Sequence, residues 1–566
     1  MHPGSVGSSR QGRTSKGVDC ARGDSRLAVG RPCASALLGP DRFAGSFFPF
    51  REVVQERLYL DNIAIYHRHI APRVSGRREK RLEVVRSVDP RRAEEFGPEL
   101  SEISTVEVGD VVARSRVAGD LIGRLGPVVV ADGLRRAADA LDAESATLAE
   151  LADDEVALGV PRLLGEIART TGQLRLFAGL VARGEHLGVT TSDLPAGAPG
   201  GSLRKVNIPL GVVVVFAASN FPFAFSVAGG DTASALAAGN PVIVKAHYGH
   251  PQTSQRVAEL VTEALVAAGL PADSLQVVHG GERVGLELVR HPDVAAVGFT
   301  GSTAGGRALT DVAASRKIPI PVYAEQGSVN PMVIAPSAIT ACAPGEARQL
   351  AESVLSGHGQ FCTKPGVVFV PDDAADEFVA LLRGEMAQAV DMHLLTTKIH
   401  EQFRKAVAAL GRHPDVEVWA GETSGAGLSA PGVVAVADVD TYLAVPDLRA
   451  EIFGPATVVI RVRDSADLVR ALDAVEGNLT ATVHGDAGDR WLALAIERLV
   501  RRVGRIVYGG VPTGVAVDRA MHHGGPYPAS SWSLYTSVGD DAIKRFMRPI
   551  VYQDFPDTLL PEALRA

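Results

Sequence analysis

The strongest constraint on the fold is an alternation of apolar runs and helical segments in the middle of the chain. Four Val-rich runs predict strands at 212–219, 241–246, 275–280 and 294–302. The segments between and after them predict helices at 226–238, 254–268, 284–290 and 305–315. Apolar strands that alternate with helices are typical of an α/β fold with a parallel sheet covered on both faces. Ligands of such sheets bind beyond the carboxyl ends of the strands, so the residues after each run are the candidates for function.

A second α/β stretch follows, together with segments of different character. Residues 328–520 contain three further predicted strands, at 331–335, 366–370 and 505–509. Residues 107–185 are rich in Ala and Leu at helical spacing and predict two or three helices. Thr190–Gly201 is a Gly/Pro-rich loop, and residues 521–566 suit an arm or an interface more than a core.

Charge and cysteine content exclude several functional classes. The 566 residues carry a formal net charge of −8, so no basic face for nucleic acid is expected. Four cysteines are too few for a disulfide framework, which predicts a reducing compartment, the cytoplasm. No apolar run approaches the roughly 20 residues that span a bilayer. Residues 1–80 hold 14 Lys and Arg against 7 Asp and Glu, and we interpret them as disordered or as a mis-called N-terminal extension.

Polar residues follow three of the four strands. Asn220 comes after the first strand and can present a fixed amide donor, although an Asn that only caps the next helix is equally common. Lys245 ends the second strand and can reach a ribose or a phosphate, unless it is a solvated surface lysine. After the fourth strand, Gly301, Ser302 and Gly306 form a turn into a helix, which can bind an anion. This spacing is not G-x-G-x-x-G, so the turn alone is weak evidence.

One cysteine lies in a context that suggests catalysis. Cys362 follows a Gly-rich stretch whose backbone amides can converge on the sulfur and favour the thiolate. Free cysteines are usually small buried hydrophobes, but the glycines argue against that interpretation here. A base for later attack by water is available in His358 or, better, in Glu325. Glu325 lies in an apolar stretch before a turn, where desolvation would raise its pKa.

Taken together, these residues resemble the aldehyde dehydrogenase superfamily over about residues 82–555. Six motifs match in order: SNFPF (219–223), VKA (244–246), GFTGS (298–302), AEQGSVNP (324–331), GQFC (359–362) and EIFGP (451–455). Any one is weak evidence, but six in order are a strong signal. Four more segments resemble one branch of the family: 161–178, 478–485, 522–531 and 545–556. This branch contains the ketoglutarate semialdehyde (2,5-dioxovalerate) dehydrogenases and the NADP-dependent fatty-aldehyde dehydrogenases.

The resemblance implies an architecture and an assembly. The expected fold is aldehyde-dehydrogenase-like α/β, with a parallel-sheet nucleotide-binding domain, a second α/β catalytic domain and a β oligomerisation arm. The NAD(P)-binding domain would comprise 82–183 and 207–327, and the catalytic domain 328–520. The arm and C-terminal segment would comprise 184–206 and 521–566. Pairing of the arm between subunits would give a homodimer or homotetramer.

The resemblance also implies a role for each candidate residue. Cys362 would attack the aldehyde carbon, Asn220 and the Cys362 backbone N–H would hold the oxyanion, and Glu325 would activate water to hydrolyse the thioester. The cofactor would be held by residues from both domains: Lys245, Gly301, Ser302, Gly306, Glu451 and Phe453. No metal ligands are predicted. The resemblance assigns hydrolysis of the thioester to Glu325, so the presence of Glu325 argues that the product is a free acid.

Two positions depart from the family pattern. His247 lies two residues after Lys245, at the position where members of the family that prefer NAD commonly carry a Glu. A Glu would repel a 2′-phosphate and a His would not, so NADP is the expected preferred cofactor and NAD remains usable. Gln326 stands where Leu is usual after the catalytic Glu, which keeps the acid but changes the local packing.

The substrate is expected to be a small aldehyde, and two kinds remain open. A dicarboxylic semialdehyde, 2-oxoglutarate semialdehyde first among them, needs a cation for its distal carboxylate. Arg169, Gln173 and Arg175 lie on one predicted helix, and Arg162 is a further candidate, although any one of them can be a surface charge. A fatty aldehyde would instead require an apolar tunnel. That tunnel would be lined by aromatic residues that can equally belong to the core: Phe221, Phe223 and Phe361.

Two other classes of function compete with a dehydrogenase. A thiol hydrolase would use Cys362 with His358 and needs no nucleotide, which leaves the turn at 301–306 unexplained. A non-catalytic binding protein would not need Asn220, Glu325 and Cys362 together. A change in absorbance or fluorescence on addition of NADP distinguishes both from a dehydrogenase.

Overall fold

The computed structural model describes residues 84–195, 200–390 and 392–565. The prediction for residues 1–80 lies outside the described residues. The first described elements are a hairpin, β1 (Val84–Asp89) and β2 (Glu94–Ser101), and four helices: α1 (Thr105–Ile122), α2 (Pro127–Ala143), α3 (Ser145–Val156) and α4 (Val160–Ala182). Ser104 and Glu107 form a reciprocal capping box that fixes the start of α1. The region predicted to hold two or three helices therefore holds four.

A three-stranded antiparallel sheet joins two distant parts of the chain. It contains β3 (Thr190–Asp193), β4 (Ser202–Pro209) and, from the C-terminal segment, β19 (Met547–Gln553), in the order β19-β4-β3. β3 is fully exposed along its length. The prediction of a loop over 190–201 is wrong at its start, because Thr190–Asp193 form β3, which pairs with β4.

The alternating region forms a five-stranded parallel sheet. Its elements in chain order are β5 (Val212–Phe216), α5 (Gly230–Ala237), β6 (Val242–Lys245), α6 (Pro251–Ala267), β7 (Leu275–Val278), α7 (Glu282–Arg290), β8 (Val294–Thr300), α8 (Thr303–Ala314) and β9 (Val322–Glu325). The strand order is β7-β6-β5-β8-β9. The four predicted strands are present. The sequence analysis missed β9, because its four residues include a Tyr and a terminal Glu and show no apolar run.

Both faces of this sheet are buried, as the Val runs predicted. Val213 and Val215 pack into the core that contains α2 and α4 residues such as Leu134. Val212 and Val214 point to the other face and pack with residues of α1 and α7. Successive residues of a strand face opposite sides, so a run of four valines supplies two cores at once.

The second α/β region forms a seven-stranded sheet in the order β13-β15-β16-β11-β10-β17-β18. All its neighbours are parallel except β13 and β15. Its elements in chain order are β10 (Pro331–Ile334), α9 (Pro336–Leu355), β11 (Val367–Pro371), α10 (Ala375–Met386), β12 (Met392–His393), α11 (Thr397–Leu410), β13 (Glu417–Ala420), β14 (Ser429–Ala430), β15 (Val433–Asp438), α12 (Val439–Ala444), β16 (Ala456–Val462), α13 (Ser465–Asp473), β17 (Asn478–His484), α14 (Arg490–Leu499) and β18 (Val503–Tyr508).

Two further features complete the fold. β12 pairs with β14 in a separate two-stranded ribbon. None of the helices in the described part of the chain is long and apolar enough to cross a membrane. The predicted α/β class with a parallel sheet is confirmed.

Candidate active site

The order of the five-stranded sheet brings the predicted strand-end residues to one edge. β6 and β7 lie on one side of β5, and β8 and β9 lie on its other side. Ligands of α/β sheets bind where the strand order reverses in this way, here between β5 and β8. Asn220 follows β5, Ser302 follows β8, and Lys245 and Glu325 end their own strands, so all four lie at the carboxyl edge.

The loop that carries Cys362 comes from the other sheet and is held by a network of amides. The Asn330 side chain donates to the carbonyl oxygens of Cys362 at 2.8 Å and Lys364 at 2.9 Å. Asn478 in turn accepts from the backbone N–H of Asn330 at 2.8 Å. The sulfur is therefore carried on a backbone that is fixed on its C-terminal side before any ligand binds.

Glycine is required where this loop meets the segment that carries Glu451. Gly359 has φ +69°, and a Cβ built on it would lie 2.2 Å from the carbonyl carbon of Gly454. No side chain fits into such a contact. The GQFC and EIFGP motifs therefore touch through bare backbone.

A histidine that the sequence analysis did not single out joins the predicted nucleophile to the predicted base. His523 is buried, and its Nε2 lies 3.7 Å from Cys362 Sγ and 3.0 Å from Glu325 Oε1. The other carboxylate oxygen of Glu325 accepts from Ser537 Oγ at 2.6 Å. Nucleophile, imidazole and carboxylate thus form one connected group.

The electrostatics of this group correct two expectations. Burial raises the pKa of the Cys362 thiol well above its usual range, and the adjacent Glu325 charge raises it further, so the glycines do not make a ready thiolate. Burial also acts to raise the pKa of Glu325, as predicted. The charge of His523 and the hydrogen bonds from His523, Ser537 and Cys362 outweigh it, and the pKa of Glu325 is lowered. The resting site therefore pairs a protonated thiol with an ionised carboxylate.

The C-terminal segment reaches Glu325 by extending the edge of the five-stranded sheet. Ser531 N–H donates to Ala324 O at 2.9 Å, and Gln326 N–H donates to Ala529 O at 2.8 Å, along the free edge of β9. This pairing places His523 and Ser537 against Glu325. The only sequence signal for His523 was the segment 522–531, which was noted for its resemblance to one branch of the family.

His358, the alternative partner for Cys362, faces elsewhere. Its Nδ1 lies 2.9 Å from the carbonyl oxygen of His393 and 3.2 Å from the His393 backbone N–H, so the ring is held by the His393 backbone. Burial lowers the pKa of His358, which favours its neutral form. The histidine beside Cys362 is His523, so the Cys–His pair suggested for a thiol hydrolase does not form with His358.

The predicted oxyanion donors lie beside the Cys362 loop. Asn220 is buried, and its amide donates one N–H to Gln360 O at 2.7 Å, two residues before Cys362. An amide has two N–H groups, so one remains for a ligand. The backbone N–H of Cys362 has no acceptor within the described ranges. Both donors suit an oxyanion on an atom bound to the sulfur.

A cavity of about 240 Å³ opens beside Cys362. Of the predicted substrate residues, the structure places Arg169, Phe221 and Phe361 on its wall, and Arg162 joins them. The further lining residues are Gly165, Glu166, Phe225, Thr363, Gly514, Val515 and His523. Gln173 is buried one helical turn beyond Arg169 and does not line the cavity.

The arginines around the cavity differ in their partners. Arg162 lies 3.3 Å from Glu166, donates to Asn220 O at 2.9 Å and packs over the Phe221 ring. Arg169 stacks over Phe225 at 5.3 Å and makes no hydrogen bond or ion pair with any described residue. Arg175 is bound to two aspartates at the exposed surface. Arg169 is therefore the cation left available inside the cavity.

The predicted nucleotide residues present donors suited to phosphate and ribose. Lys245 has no hydrogen bond or ion pair within the described residues, and burial lowers its pKa to about 8. Ser302 caps α8 by accepting from Gly305 N–H at 3.2 Å, which leaves the other first-turn amides facing outward. A Cβ on Gly306 would lie 2.4 Å from the Gln326 amide nitrogen, so the departing residue Gln326 packs directly on this turn.

The environment of His247 is positive. Burial lowers its pKa well below the usual range, and His250, Lys245 and Lys398 lower it further, so the ring is neutral. Its Nδ1 accepts from Gly249 N–H at 3.0 Å, and the ring stacks on Tyr248. No carboxylate occupies this position, and two lysines are close enough to affect its titration.

Glu451, one of the residues predicted to hold the cofactor, lies beside the turn that follows β9. A Cβ on Gly327 would contact its carboxylate at 2.5 Å, and Phe453 is half-buried two residues further on. Burial raises the pKa of Glu451 to about 7, while Lys364 acts to lower it. A dinucleotide fits three features along the carboxyl edge of the five-stranded sheet. They are Lys245, the glycine turn capped by Ser302, and the Glu451 carboxylate near Cys362.

Comparison with known proteins agrees with this geometry. The sequence model of the aldehyde dehydrogenase family matches residues 77–548. Alpha-ketoglutaric semialdehyde dehydrogenase 2 of Azospirillum brasilense is 43% identical over 85% of this chain and 93% of its own length. Alpha-ketoglutaric semialdehyde dehydrogenase of Acinetobacter baylyi is 41% identical over 77% of this chain and 84% of its own length.

Solved structures share the fold at low sequence identity. 3,6-anhydro-L-galactose dehydrogenase in complex with NAP aligns with a TM-score of 0.72 at 22% identity, over 84% of this chain and 96% of that chain. Gamma-glutamyl-gamma-aminobutyraldehyde dehydrogenase from Burkholderia cenocepacia J2315 gives 0.72 at 22% identity, over 83% and 93%. The resemblance drawn from six motifs and the predicted fold are confirmed: the chain belongs to the aldehyde dehydrogenase family and is an NAD(P)-dependent aldehyde dehydrogenase.

Proposed function

We propose that this enzyme oxidises 2-oxoglutarate semialdehyde to 2-oxoglutarate, with NADP as the preferred cofactor. The names of the two relatives at 43% and 41% identity support the substrate. The observation that carries the proposal is the guanidinium of Arg169, which lines the cavity that contains Cys362 and makes no hydrogen bond or ion pair with the described residues.

A carboxylate substrate would complete this cavity. A guanidinium that is partly withdrawn from water and makes no hydrogen bond with the described residues is costly: burial lowers the pKa of Arg169, and the nearby charge of Glu166 offsets this only in part. 2-Oxoglutarate semialdehyde carries its aldehyde and its carboxylate at opposite ends of a five-carbon chain. With the aldehyde at Cys362, the carboxylate would be bound by Arg169, whose planar fork suits bidentate contact.

The first chemical step removes the thiol proton, because the resting thiol is protonated. His523 Nε2 donates its N–H to Glu325 Oε1 at 3.0 Å and has no free lone pair, so the thiol proton would pass to water in the cavity beside Cys362. The Cys362 sulfur then attacks the aldehyde carbon and forms a thiohemiacetal. The second N–H of Asn220 and the backbone N–H of Cys362 hold the oxyanion.

The second half of the reaction releases the acid. A bound nicotinamide would supply the hydride acceptor that turns the thiohemiacetal on Cys362 into a thioester. Glu325, with His523 beside it, takes a proton from water, and the hydroxide attacks the thioester carbonyl. The sulfur leaves, takes up a proton and restores the thiol, while the product departs as a carboxylate.

The cofactor preference rests on the neighbours of His247. A neutral ring and the nearby Lys245 and Lys398 place no negative charge against a 2′-phosphate. Lys245 is free to bind that phosphate or the ribose. Ser302 and the start of α8 would hold the pyrophosphate, Gly301 and Gly306 would allow its close approach, and NAD remains usable.

A long-chain aldehyde is the second candidate, favoured by aromatic residues on the cavity wall. Phe221 stacks edge-on against both Phe225 and Phe361, at 5.3 Å and 5.2 Å between ring centroids. These rings offer apolar contact but lie under the guanidinium groups of Arg162 and Arg169. A purely apolar chain would leave the Arg169 guanidinium without a hydrogen-bond partner, so the semialdehyde is the better fit.

Assembly and location are proposed as well. The exposed strand β3 at the edge of the β19-β4-β3 sheet suits pairing between subunits, so we propose a homodimer or homotetramer. The working location would be the cytoplasm, where the catalytic thiol stays reduced.

The test compares substrates and cofactors directly. Purified enzyme and its Cys362→Ala variant are supplied with 2-oxoglutarate semialdehyde or a long-chain aldehyde, and formation of NADPH and NADH is followed by absorbance. We expect NADPH with the semialdehyde and none from the variant. Turnover of the long-chain aldehyde alone would contradict the proposed substrate, and faster reduction of NAD would contradict the proposed cofactor.

A further inference from the structure

We propose that Cys362, His523 and Glu325 form a binding site for Zn²⁺ and that occupancy of this site switches the enzyme off. One ligand atom from each residue lies within 4.8 Å of the other two. The site is additional to the dehydrogenase chemistry, which needs no metal. It rests on the geometry of three side chains and not on the identity of the aldehyde.

The distances suit a tetrahedral ion. Ligands at about 2.0–2.3 Å from Zn²⁺ lie some 3.3–3.7 Å from one another when the angles are tetrahedral. Sγ and Nε2 are 3.7 Å apart, Nε2 and Oε1 are 3.0 Å apart, and all three ligand atoms lie within 4.8 Å of one another, so binding would move the carboxylate away from the imidazole.

The donor types select the metal. A thiolate, an imidazole nitrogen and a carboxylate oxygen are the ligands typical of Zn²⁺, with Co²⁺ as a close substitute. Mg²⁺ and Ca²⁺ prefer all-oxygen sites and would not compete. The fourth position would face the 240 Å³ cavity, where water can complete the coordination.

A hydrogen bond from a residue outside the ligand set already orients the Glu325 carboxylate. Ser537 donates to Glu325 Oε2, which leaves Oε1 directed to the shared point between His523 and Cys362. Hydrogen bonds of this kind to ligating carboxylates are a regular feature of metal sites. The backbone N–H of His523 donates to Thr536 Oγ1 at 2.8 Å, which fixes the segment that carries the imidazole.

Binding would stop catalysis by occupying both reactive groups. The thiol loses its proton to solvent when the sulfur bonds to the metal, and its lone pair is no longer available to attack an aldehyde. The carboxylate oxygen that would accept a proton from water is bound as well. No oxidation or reduction is involved, so a chelator would restore activity.

The test uses Co²⁺ as a spectroscopic probe, with no aldehyde or nucleotide present. A variant with Cys20, Cys33 and Cys342 replaced by Ser leaves Cys362 as the sole thiol, and Cys342 is exposed and away from the site. Titration should give one equivalent of Co²⁺ with a thiolate-to-cobalt charge-transfer band. Zn²⁺ should displace it and Mg²⁺ should not.

Three further variants decide the ligand set. Cys362→Ser should abolish the band, and His523→Asn should weaken binding by more than the roughly 10–100-fold expected for the outer contact in Ser537→Ala. Circular dichroism and NADP binding confirm that each variant is folded. In the wild type, Zn²⁺ should slow alkylation of Cys362 by iodoacetamide and inhibit turnover until EDTA is added.

Two results would overturn the site. A charge-transfer band that survives in Cys362→Ser places the metal elsewhere, and Zn²⁺ affinity that is unchanged in His523→Asn removes the imidazole from the ligand set. Since the titration contains no aldehyde, an error in the proposed substrate would leave its result unchanged.

Discussion

The active site is assembled from two kinds of segment that differ in how far their contacts reach along the chain. Asn220 and Ser302 follow buried strands of one sheet within four residues, and Lys245 and Glu325 are the last residues of their strands. His523 and Ser537 come from a segment without helix or strand and meet Glu325 across about 200 residues of sequence. The strand ends carry candidate residues that local sequence predicts, and the distant segment supplies the contacts that lower the pKa of Glu325. Local sequence thus predicts the candidate residues, while long-range packing sets the charge of Glu325.

The largest expected effect concerns a strand-end residue. Glu325→Gln keeps the size of the side chain but cannot accept a proton, so hydrolysis of the thioester should slow by about 10²–10⁴-fold. The first turnover should still yield a burst of NADPH, which rapid-mixing absorbance would record. Glu352→Gln, an exposed change on α9, is the matched control and should leave turnover unaltered. Equal loss of burst and steady state would assign Glu325 to the acylation step instead.

Next in size is the effect of removing the cavity cation. Arg169→Met deletes a charged hydrogen bond to the substrate carboxylate, typically worth about 1.5–3 kcal/mol, so kcat/KM for the semialdehyde should fall roughly 10–150-fold. Steady-state kinetics with an uncharged aldehyde of similar length should show little change. Arg175→Met, on the same helix but bound to Asp139 and Asp142 at the surface, serves as control. A similar loss for both aldehydes would show that Arg169 is structural.

A smaller effect is expected at the second strand end. His247→Glu introduces a negative charge beside Lys245, which should reduce the preference for NADP over NAD by roughly tenfold, about 1.4 kcal/mol. The ratio of kcat/KM values for the two cofactors measures this. His247→Gln adds no charge and is the matched comparison. An unchanged ratio in His247→Glu would remove His247 from the 2′-phosphate site.

The smallest effect tests the distant segment. His523 helps to lower the pKa of Glu325, so His523→Asn should raise that pKa and move the acidic limb of deacylation to higher pH. The rate falls as pH decreases through this limb, because a protonated Glu325 cannot act as base. A pH profile of single-turnover product release measures the shift. His522→Asn, one residue away, should not move the limb, and equal shifts in both would contradict the assignment.

Much of the fold could be read from the sequence because apolar periodicity is local. The four Val-rich strands of the first sheet were found, and the order of motifs identified the family. β9 was missed because VYAE shows no apolar run, and only its pairing with β8 and residues 529–531 makes it a strand. Such pairing depends on segments that are distant in sequence.

The candidate site likewise divides into residues that local sequence predicts and contacts that depend on distant segments. Cys362, Glu325 and Asn220 were selected from their immediate neighbours. The expectation for the Glu325 pKa was wrong because the sequence shows the apolar flanks that desolvate the acid, but not the histidine and serine that stabilise its charge. His358 was considered as the partner of Cys362 because it is close in sequence, whereas the imidazole that reaches the sulfur is 161 residues away.

The backbone contact between Gly359 and Gly454 limits how these two turns can vary. A Cβ at Gly359 would meet the Gly454 backbone and a Cβ at Gly454 would meet Phe403, so the turn at 359–362 and the turn at 451–455 must keep matching shapes. Recombination between relatives that separates residues 359–362 from residues 451–455 should yield chimaeras that fold poorly. Chimaeras in which the two turns come from the same parent should survive.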